Sequence, residues 1–258
     1  MSTHPHRLST QLASYLVRNP LIYLYTVVLG TLSLLSSFLD RSGRIQHGFA
    51  RLWSWLILHT CSAPLTVDGL DRLDLTQPAI YAANHSSALD IPVLYVSLPF
   101  QFRILAKLEL FRLPFLGWHL RLSGQIPIDR TDARASLRSL SAASQTVKAG
   151  MPLVVFPEGG RSTDGHLQSF LGGTFYAAIK AQVPIVPLVI IGTHEALPMN
   201  TYVIKPTPFR LIVGEPIPTT GLVSRDMEAL SQRVRQSMSD LLYAHAHLPT
   251  PVASGVPH

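Results

Sequence analysis

The 258-residue sequence has few charges and almost no cysteine. Only 14% of its residues are charged, against about 25% in an ordinary soluble domain. This shortage and a mean hydropathy of +0.25 exclude a disordered or solvating chain. Cys61 is the single cysteine, so an intrachain disulfide framework is also excluded.

The few charges that are present are mostly positive. The net charge is +6 and the isoelectric point is about 9.7, which indicates an anionic partner. Nucleic-acid-binding proteins carry a dense basic stripe, and this sequence has only four lysines and no such stripe. A membrane surface or a phosphate-bearing ligand is therefore favoured over nucleic acid.

An uncharged apolar segment at 21–39 is just long enough to cross a bilayer core of about 30 Å. It lacks the A-x-A-like cleavage site of a signal peptide. Arginines flank it on both sides, where they would face anionic lipid, and a second apolar patch at 52–58 contains Trp53 and Trp55. The pattern predicts a helical hairpin that dips into one leaflet. A true span remains the alternative, and a buried soluble helix is disfavoured because no polar face is present.

The rest of the chain alternates short apolar runs with amphipathic segments. Strands are predicted at 65–67, 79–83, 102–106, 125–128, 152–156, 185–190 and 209–213, and helices at 131–149, 173–181 and 224–243. This alternation predicts an α/β fold with a largely parallel mixed sheet flanked by helices. The predicted organisation is an N-terminal membrane-associated helical segment at 1–62, a catalytic domain at 63–248 and a flexible tail at 249–258.

The first segment with chemical potential is Asn84–Asp90, which directly follows a predicted strand. Histidine is the side chain best suited to remove a proton near neutral pH, and a carboxylate orients it through its other ring nitrogen. If a helix begins at His85, Asp90 lies near the same side of it, and the helix terminus favours the neutral imidazole. Backbone N–H groups near Ser86 and Ser87 would then be available to stabilise an oxyanion. A histidine that merely caps a turn is the alternative.

Two further segments carry cations and glycines that suit a phosphate group. In 156–162, Gly159 allows close backbone approach, Arg161 offers a planar fork of donors, and Glu158 would bind a hydroxyl or hold Arg161. An ordinary glycine-rich turn is the alternative. Arg130 stands between a strand and a helix, where anions often bind.

Two other segments have weaker signals. Lys107 and Glu109 form a further candidate anion-site pair. The run from Val183 to Pro187 has no reactive group, so it is structural or lines an apolar groove.

In this order and spacing, these blocks resemble the PlsC-type glycerolipid acyltransferases, that is, the family of 1-acylglycerol-3-phosphate acyltransferases. The resemblance covers roughly residues 64–215. It implies that His85 is the general base and Asp90 its orienting partner. It also implies that Lys107, Arg130, Glu158, Gly159 and Arg161 bind the substrate phosphate region, and that Val183, Pro184 and Pro187 lie on the acyl-donor side.

Two positions depart from the family pattern. Family members usually have threonine where this chain has Gly160, and often have lysine where it has Leu171. One polar contact and one positive charge are missing, and this concerns the acceptor more than the transfer chemistry.

The resemblance implies transfer of a fatty acyl group from acyl-CoA or acyl carrier protein to 1-acylglycerol-3-phosphate. Another lyso-lipid acceptor is the first alternative, and a membrane-surface protein with a vestigial site is the second. No metal and no cofactor beyond the acyl-thioester co-substrate are expected. The expected partners are membrane lipids and the acyl donor, and the expected location is the cytoplasmic face of the inner or plasma membrane.

Overall fold

The computed structural model describes residues 5–40 and 42–246, with side chains from residue 8 onward. The predicted tail at 249–258 lies outside the described residues. The helices are α1 (Pro5–Ala13), α2 (Asn19–Ser36), α3 (Arg44–Thr60), α4 (Asp90–Ser97), α5 (Leu116–Leu122), α6 (Ala133–Lys148), α7 (Gly173–Ala181), α8 (Thr193–Ala196) and α9 (Met227–His245). Short 3₁₀ turns occupy Leu70–Arg72, Leu108–Arg112 and Ser224–Asp226, and a π-helical turn at Ser14–Arg18 joins α1 to α2.

In the part of the chain that the structure describes, seven strands form one mixed sheet. They are β1 (Leu65–Asp68), β2 (Ile80–Ala83), β3 (Arg103–Lys107), β4 (Ile126–Ile128), β5 (Leu153–Val155), β6 (Ile185–Ile191) and β7 (Phe209–Val213). The spatial order is β1-β7-β6-β2-β5-β3-β4, and among the described strands β6 and β7 are the one antiparallel pair. The predicted fold class, a largely parallel mixed sheet flanked by helices, is confirmed.

The sheet has a hydrophobic core on each face, which explains the unbroken apolar runs of its central strands. In β2, Tyr81 and Ala83 face a core shared with α3 and α4. Ile80 and Ala82 face the opposite core, which α6, α7 and α9 complete. Because side chains alternate between the two faces of a strand, both faces of β2 must be apolar.

The predicted catalytic and phosphate-binding residues lie at the carboxyl ends of the parallel strands, which we call the carboxyl edge of the sheet. Strands β2, β3, β4, β5 and β6 are parallel, so their carboxyl ends meet at this edge. The loop after β2 begins with Asn84, whose side-chain amide donates to the carbonyl oxygen of Ile190 (2.9 Å) and accepts from its N–H (2.7 Å). In open α/β sheets, the carboxyl ends of the parallel strands are the usual place for a binding site.

The N-terminal helices form the predicted hairpin. Helices α2 and α3 pack against each other, and Trp53 Nε1 donates to Thr26 Oγ1 at 2.9 Å across them. Asp40 closes the turn by accepting hydrogen bonds from Ser42 and Ile45. Within the described residues, one helix, Leu8–Ser36, has the length and apolar composition to cross a membrane, and only 11% of its most apolar window is buried.

This long helix is joined to the rest of the protein near both of its ends. Near its start, Ser14 Oγ accepts from the N–H of Ile204 (3.0 Å), and Arg18 Nη1 donates to the carbonyl oxygen of Ile204 (2.9 Å). Near its end, Ser33 Oγ lies 3.2 Å from His119 Nδ1. Ser14 and Ser33 are about 28 Å apart along the helix. The helix therefore lies along the side of the sheet domain, and Arg18, expected to face lipid, helps to hold it there.

Candidate active site

His85 and Asp90 form a hydrogen-bonded pair at the carboxyl edge of the sheet. Asp90 Oδ2 lies 2.7 Å from His85 Nδ1, and the Asp90 side chain is fully buried. The His85 side chain is 19% exposed, and its ring stacks on Phe156 with ring centroids 4.0 Å apart. The carboxylate acceptor holds the proton on Nδ1, which leaves the lone pair of Nε2 free to act as a base.

The loop between these two residues corrects two sequence-based expectations. Helix α4 begins at Asp90, so His85 precedes the helix and does not stand at its N-terminus. The N–H groups of Ser86 and Ser87 donate to Asp90 Oδ2 at 2.8 and 2.9 Å. They are therefore not the oxyanion donors that were expected, because the loop wraps around the carboxylate that begins the helix.

Thr193 is a site residue that the sequence analysis missed. Its Oγ1 donates to Asp90 Oδ1 at 2.5 Å, and its side chain is buried. It follows Gly192, which has φ +93°, and a Cβ there would lie 2.1 Å from the carbonyl oxygen of Pro208. A Gly-Thr pair directly after a buried strand was the available signal.

Glu158 supports the backbone of the His85 loop. Its Oε1 accepts from the N–H of His85 (2.7 Å), and its Oε2 accepts from the N–H of Gln168 (2.8 Å). Burial raises the pKa of Glu158 to about 7, against the lowering effect of these two bonds. The N–H of Ser162 also donates to the carbonyl oxygen of His85 (2.7 Å). Both carboxylate oxygens thus bind backbone, and the expected bonds of Glu158 to a hydroxyl or Arg161 stay predictions.

Gly159 joins the 156–162 segment to Arg130. Arg130 Nη1 donates to the carbonyl oxygen of Gly159 at 3.0 Å. Gly159 has φ +74°, and a Cβ there would lie 2.5 Å from both Arg130 Nη1 and Leu171 Cδ1. Gly160, in contrast, has open space where a Cβ would stand. Position 159 thus favours glycine because of its positive φ, whereas position 160 has room for a side chain.

Three of the predicted phosphate-binding residues are exposed cations at this edge of the sheet. Lys107 ends β3, Arg130 follows β4, and Arg161 belongs to the loop after β5. Partial burial lowers the pKa of Arg130, and the charge of Glu109 opposes this effect. The three strands are neighbours in the sheet, so the predicted phosphate-binding residues Lys107, Arg130, Glu158, Gly159 and Arg161 come from adjacent loops.

The residues predicted on the acyl-donor side lie elsewhere. Val183 and Pro184 precede β6, at the opposite edge of the sheet from His85. Pro187 is buried in the middle of β6, paired in register with Ala82. The structure does not bring these residues to the His85 pair, and their acyl-donor role stays a prediction.

Comparison with known proteins identifies the class. Residues 64–191 match the family model described as Acyltransferase, a range that includes the His85–Asp90 pair and ends with β6. The chain belongs to this acyltransferase family.

Within that family, the similar proteins share one name. The chain is 33% identical to the 1-acyl-sn-glycerol-3-phosphate acyltransferase LPAT1, chloroplastic, of Arabidopsis thaliana, over 67% of this chain and 49% of that protein. It is 34% identical to the human 1-acyl-sn-glycerol-3-phosphate acyltransferase alpha, over 67% of this chain and 61% of that protein. The chain thus spans about half to three fifths of these relatives.

A solved structure agrees over a larger share. The crystal structure of the 1-acyl-sn-glycerophosphate acyltransferase PlsC from Thermotoga maritima superposes with a TM-score of 0.73 and 25% identity. The match covers 93% of this chain and 97% of that chain, so the N-terminal helices belong to the shared fold.

The first prediction concerns Thr193. Thr193→Val keeps the side-chain shape but removes the donor to Asp90, so we expect the acyl-transfer rate to fall about tenfold or more. Thr193→Ser keeps a hydroxyl and should retain most activity. The acyl-transfer rate as a function of pH is the measurement, because Asp90 without this donor holds the His85 imidazole less firmly. Equal profiles for the valine variant and the wild type would contradict this role.

The second prediction uses the adjacent glycines. Gly159→Ala places a Cβ against Arg130 at positive φ, so we expect loss of activity and of stability by about 1–3 kcal/mol. Gly160→Thr, which restores the usual family residue, should leave the melting temperature nearly unchanged. Thermal unfolding of both variants, with acyl-transfer rates, is the measurement. A stable, active Gly159→Ala protein would refute the close packing of Arg130 on this turn.

Proposed function

We propose that the protein transfers a fatty acyl group from an acyl thioester to the free hydroxyl of 1-acyl-sn-glycerol-3-phosphate, which gives phosphatidic acid. The observation that carries this proposal is the buried Asp90 carboxylate bonded to Nδ1 of a partly exposed His85. The names of the relatives support the acceptor. Acyl-CoA and acyl carrier protein are both suitable donors, and separate assays with each decide between them.

The chemistry follows from the free Nε2 of His85. This atom takes the proton from the acceptor hydroxyl as the oxygen attacks the thioester carbonyl carbon. The resulting tetrahedral intermediate collapses, the carbon–sulfur bond breaks, and the thiolate takes the proton back from His85. Asp90 stabilises the imidazolium between these two steps. The proposal needs no metal or further cofactor, since the pair supplies the base.

The exposed cations bind the phosphate of the acceptor in this proposal. Arg161 and Arg130 provide planar guanidinium donors, and Lys107 adds a third positive charge. Leu171, where the family often has lysine, packs near Gly159 and leaves this region with one charge fewer. That observation favours testing a second acceptor class, a lyso-lipid whose head group carries less negative charge.

The attachments of the long N-terminal helix favour a position in the membrane interface. A helix bound to the sheet domain near both Ser14 and Ser33 can cross a bilayer only if the domain enters it too. We therefore propose that Leu8–Ser36 lies along the surface of one leaflet with its exposed apolar side in lipid. The cytoplasmic face stays the side predicted from the sequence.

The third prediction tests the base. His85→Ala should lower the acyl-transfer rate by about 10² to 10⁴, while the protein stays folded and membrane-bound. Thiol release from acyl-CoA in the presence of acceptor is the measurement. His245→Ala, at the exposed end of α9, is the matched control. Turnover near the wild-type rate in the His85 variant would exclude the assignment.

The fourth prediction tests the phosphate site. Arg161→Ala should raise the KM for 1-acylglycerol-3-phosphate at least tenfold, because a charge-assisted hydrogen bond is lost. It should leave the KM for the acyl donor nearly unchanged. Arg225→Ala, an exposed arginine of the Ser224–Asp226 turn, is the control. The same series with monoacylglycerol separates phosphate recognition from general damage, and an unchanged acceptor KM would contradict the role.

A further inference from the structure

The connection between β3 and β4 exposes an unusual amount of apolar surface. Five large apolar side chains within thirteen residues are between 38% and 55% exposed: Leu110, Leu113, Leu116, Trp118 and Leu122. A clustered patch of this kind marks an interaction surface more often than ordinary solvent-exposed surface does. We refer to residues 110–122 as the apolar connection.

The apolar connection is firmly packed on its inner side. Phe111 is only 2% exposed. Gly117 lies so close to it that a Cβ at position 117 would stand 2.2 Å from the Phe111 carbonyl oxygen. The outward leucines and Trp118 are therefore held in place by a buried inner side, and their exposure is a fixed property of the fold.

The apolar connection is also fastened to the long N-terminal helix. The Phe115 ring lies against Gly30, where a Cβ would be 2.6 Å from Phe115 Cε1. Phe115 adopts a positive φ of 66°, which a bulky residue seldom does, to reach this position. Ser33 and His119 add the polar contact at 3.2 Å. Leu24, Val27, Val28 and Leu35 of α2 are exposed as well, so the apolar connection is fastened to a helix that also presents apolar side chains to its surroundings.

The charges of the apolar connection complement an anionic bilayer. Arg112 and Arg121 are exposed on it, and Lys107 stands at its entrance. Glu109 is the single acidic residue of the 107–122 stretch. Burial lowers the pKa of His119, which favours the neutral imidazole. Arginines beside exposed leucines and a tryptophan fit the boundary between head groups and acyl chains.

We propose that the apolar connection is a second lipid-binding surface, which enters the same leaflet as the N-terminal helix. The proposal rests on the proposed function, because it uses the interfacial position of that helix. It adds a consequence for the site. The 107–122 stretch begins at Lys107, at the edge where Arg130 and Arg161 lie, so lipid contact here places the phosphate site at head-group level.

The fifth prediction tests this surface with two matched double variants of the full chain. Leu113→Ser with Leu116→Ser removes two exposed leucines of the apolar connection. Leu75→Ser with Leu137→Ser removes two leucines elsewhere whose exposure is similar, 58% and 47% against 48% and 41%. Flotation with vesicles of phosphatidylcholine and phosphatidylglycerol gives the partition coefficient. We expect the first variant to lose about tenfold or more in binding and the second to bind as the wild type does.

The fluorescence of Trp118 gives a second test, because it reports how deeply the apolar connection enters the bilayer. In the Trp53→Phe/Trp55→Phe protein, Trp118 is the only remaining tryptophan. Vesicles with brominated acyl chains should quench its fluorescence strongly. Unchanged flotation of the Leu113/Leu116 variant, or an unquenched Trp118, would overturn the proposal. So would a shift of that variant from dimer to monomer in sedimentation with normal vesicle binding, because the patch would then bind a second copy.

An assay without vesicles distinguishes a failure of the lipid-binding proposal from a failure of the proposed function. A short-chain acceptor that stays monomeric in water is assayed without vesicles. The Leu113/Leu116 variant should keep wild-type turnover on it, since the His85 pair is untouched. If the wild-type protein lacks activity on every acceptor, the proposed function fails, whereas the flotation result still reports on the surface.

Discussion

The site depends on the burial of one charge. The Asp90 side chain has no exposed surface, and a carboxylate in that position needs a full set of donors. His85 Nδ1, the N–H groups of Ser86 and Ser87 and the hydroxyl of Thr193 supply them. The loops after β2 and β6 are thereby bound to a single residue. The orientation of the histidine follows from the need to satisfy that carboxylate.

A second carboxylate has a complementary role. Asp90 holds the His85 side chain, whereas Glu158 holds the His85 backbone N–H and that of Gln168. Glu158 also has a pKa near 7, because burial outweighs its two hydrogen bonds. The histidine is thus positioned from two sides, through its side chain and through its backbone.

The sequence predicted the sheet well because its strands are buried on both faces, and continuous apolar runs such as Ile185–Ile191 identify them. It identified His85 and Asp90 by type and spacing, but with a helix that starts five residues too early. Thr193 was not predicted because its contact with Asp90 spans 103 residues, and the Gly-Thr pair after β6 marks a position but does not indicate its partner. Helix α5 was not predicted either, because its position depends on packing against α2.

Asn84 has a consequence for how the two halves of the site stay aligned. Its amide satisfies both backbone polar groups of Ile190, so a side chain joins the end of β2 to β6 beyond the last paired residues, Ala83 and Leu188. A strand that slips by one residue reverses the facing of every side chain. Here the slip would also separate His85 from the loop that carries Thr193. The Asn84 amide therefore helps to fix the register of β2 against β6. With the register it fixes the position of His85 relative to Thr193.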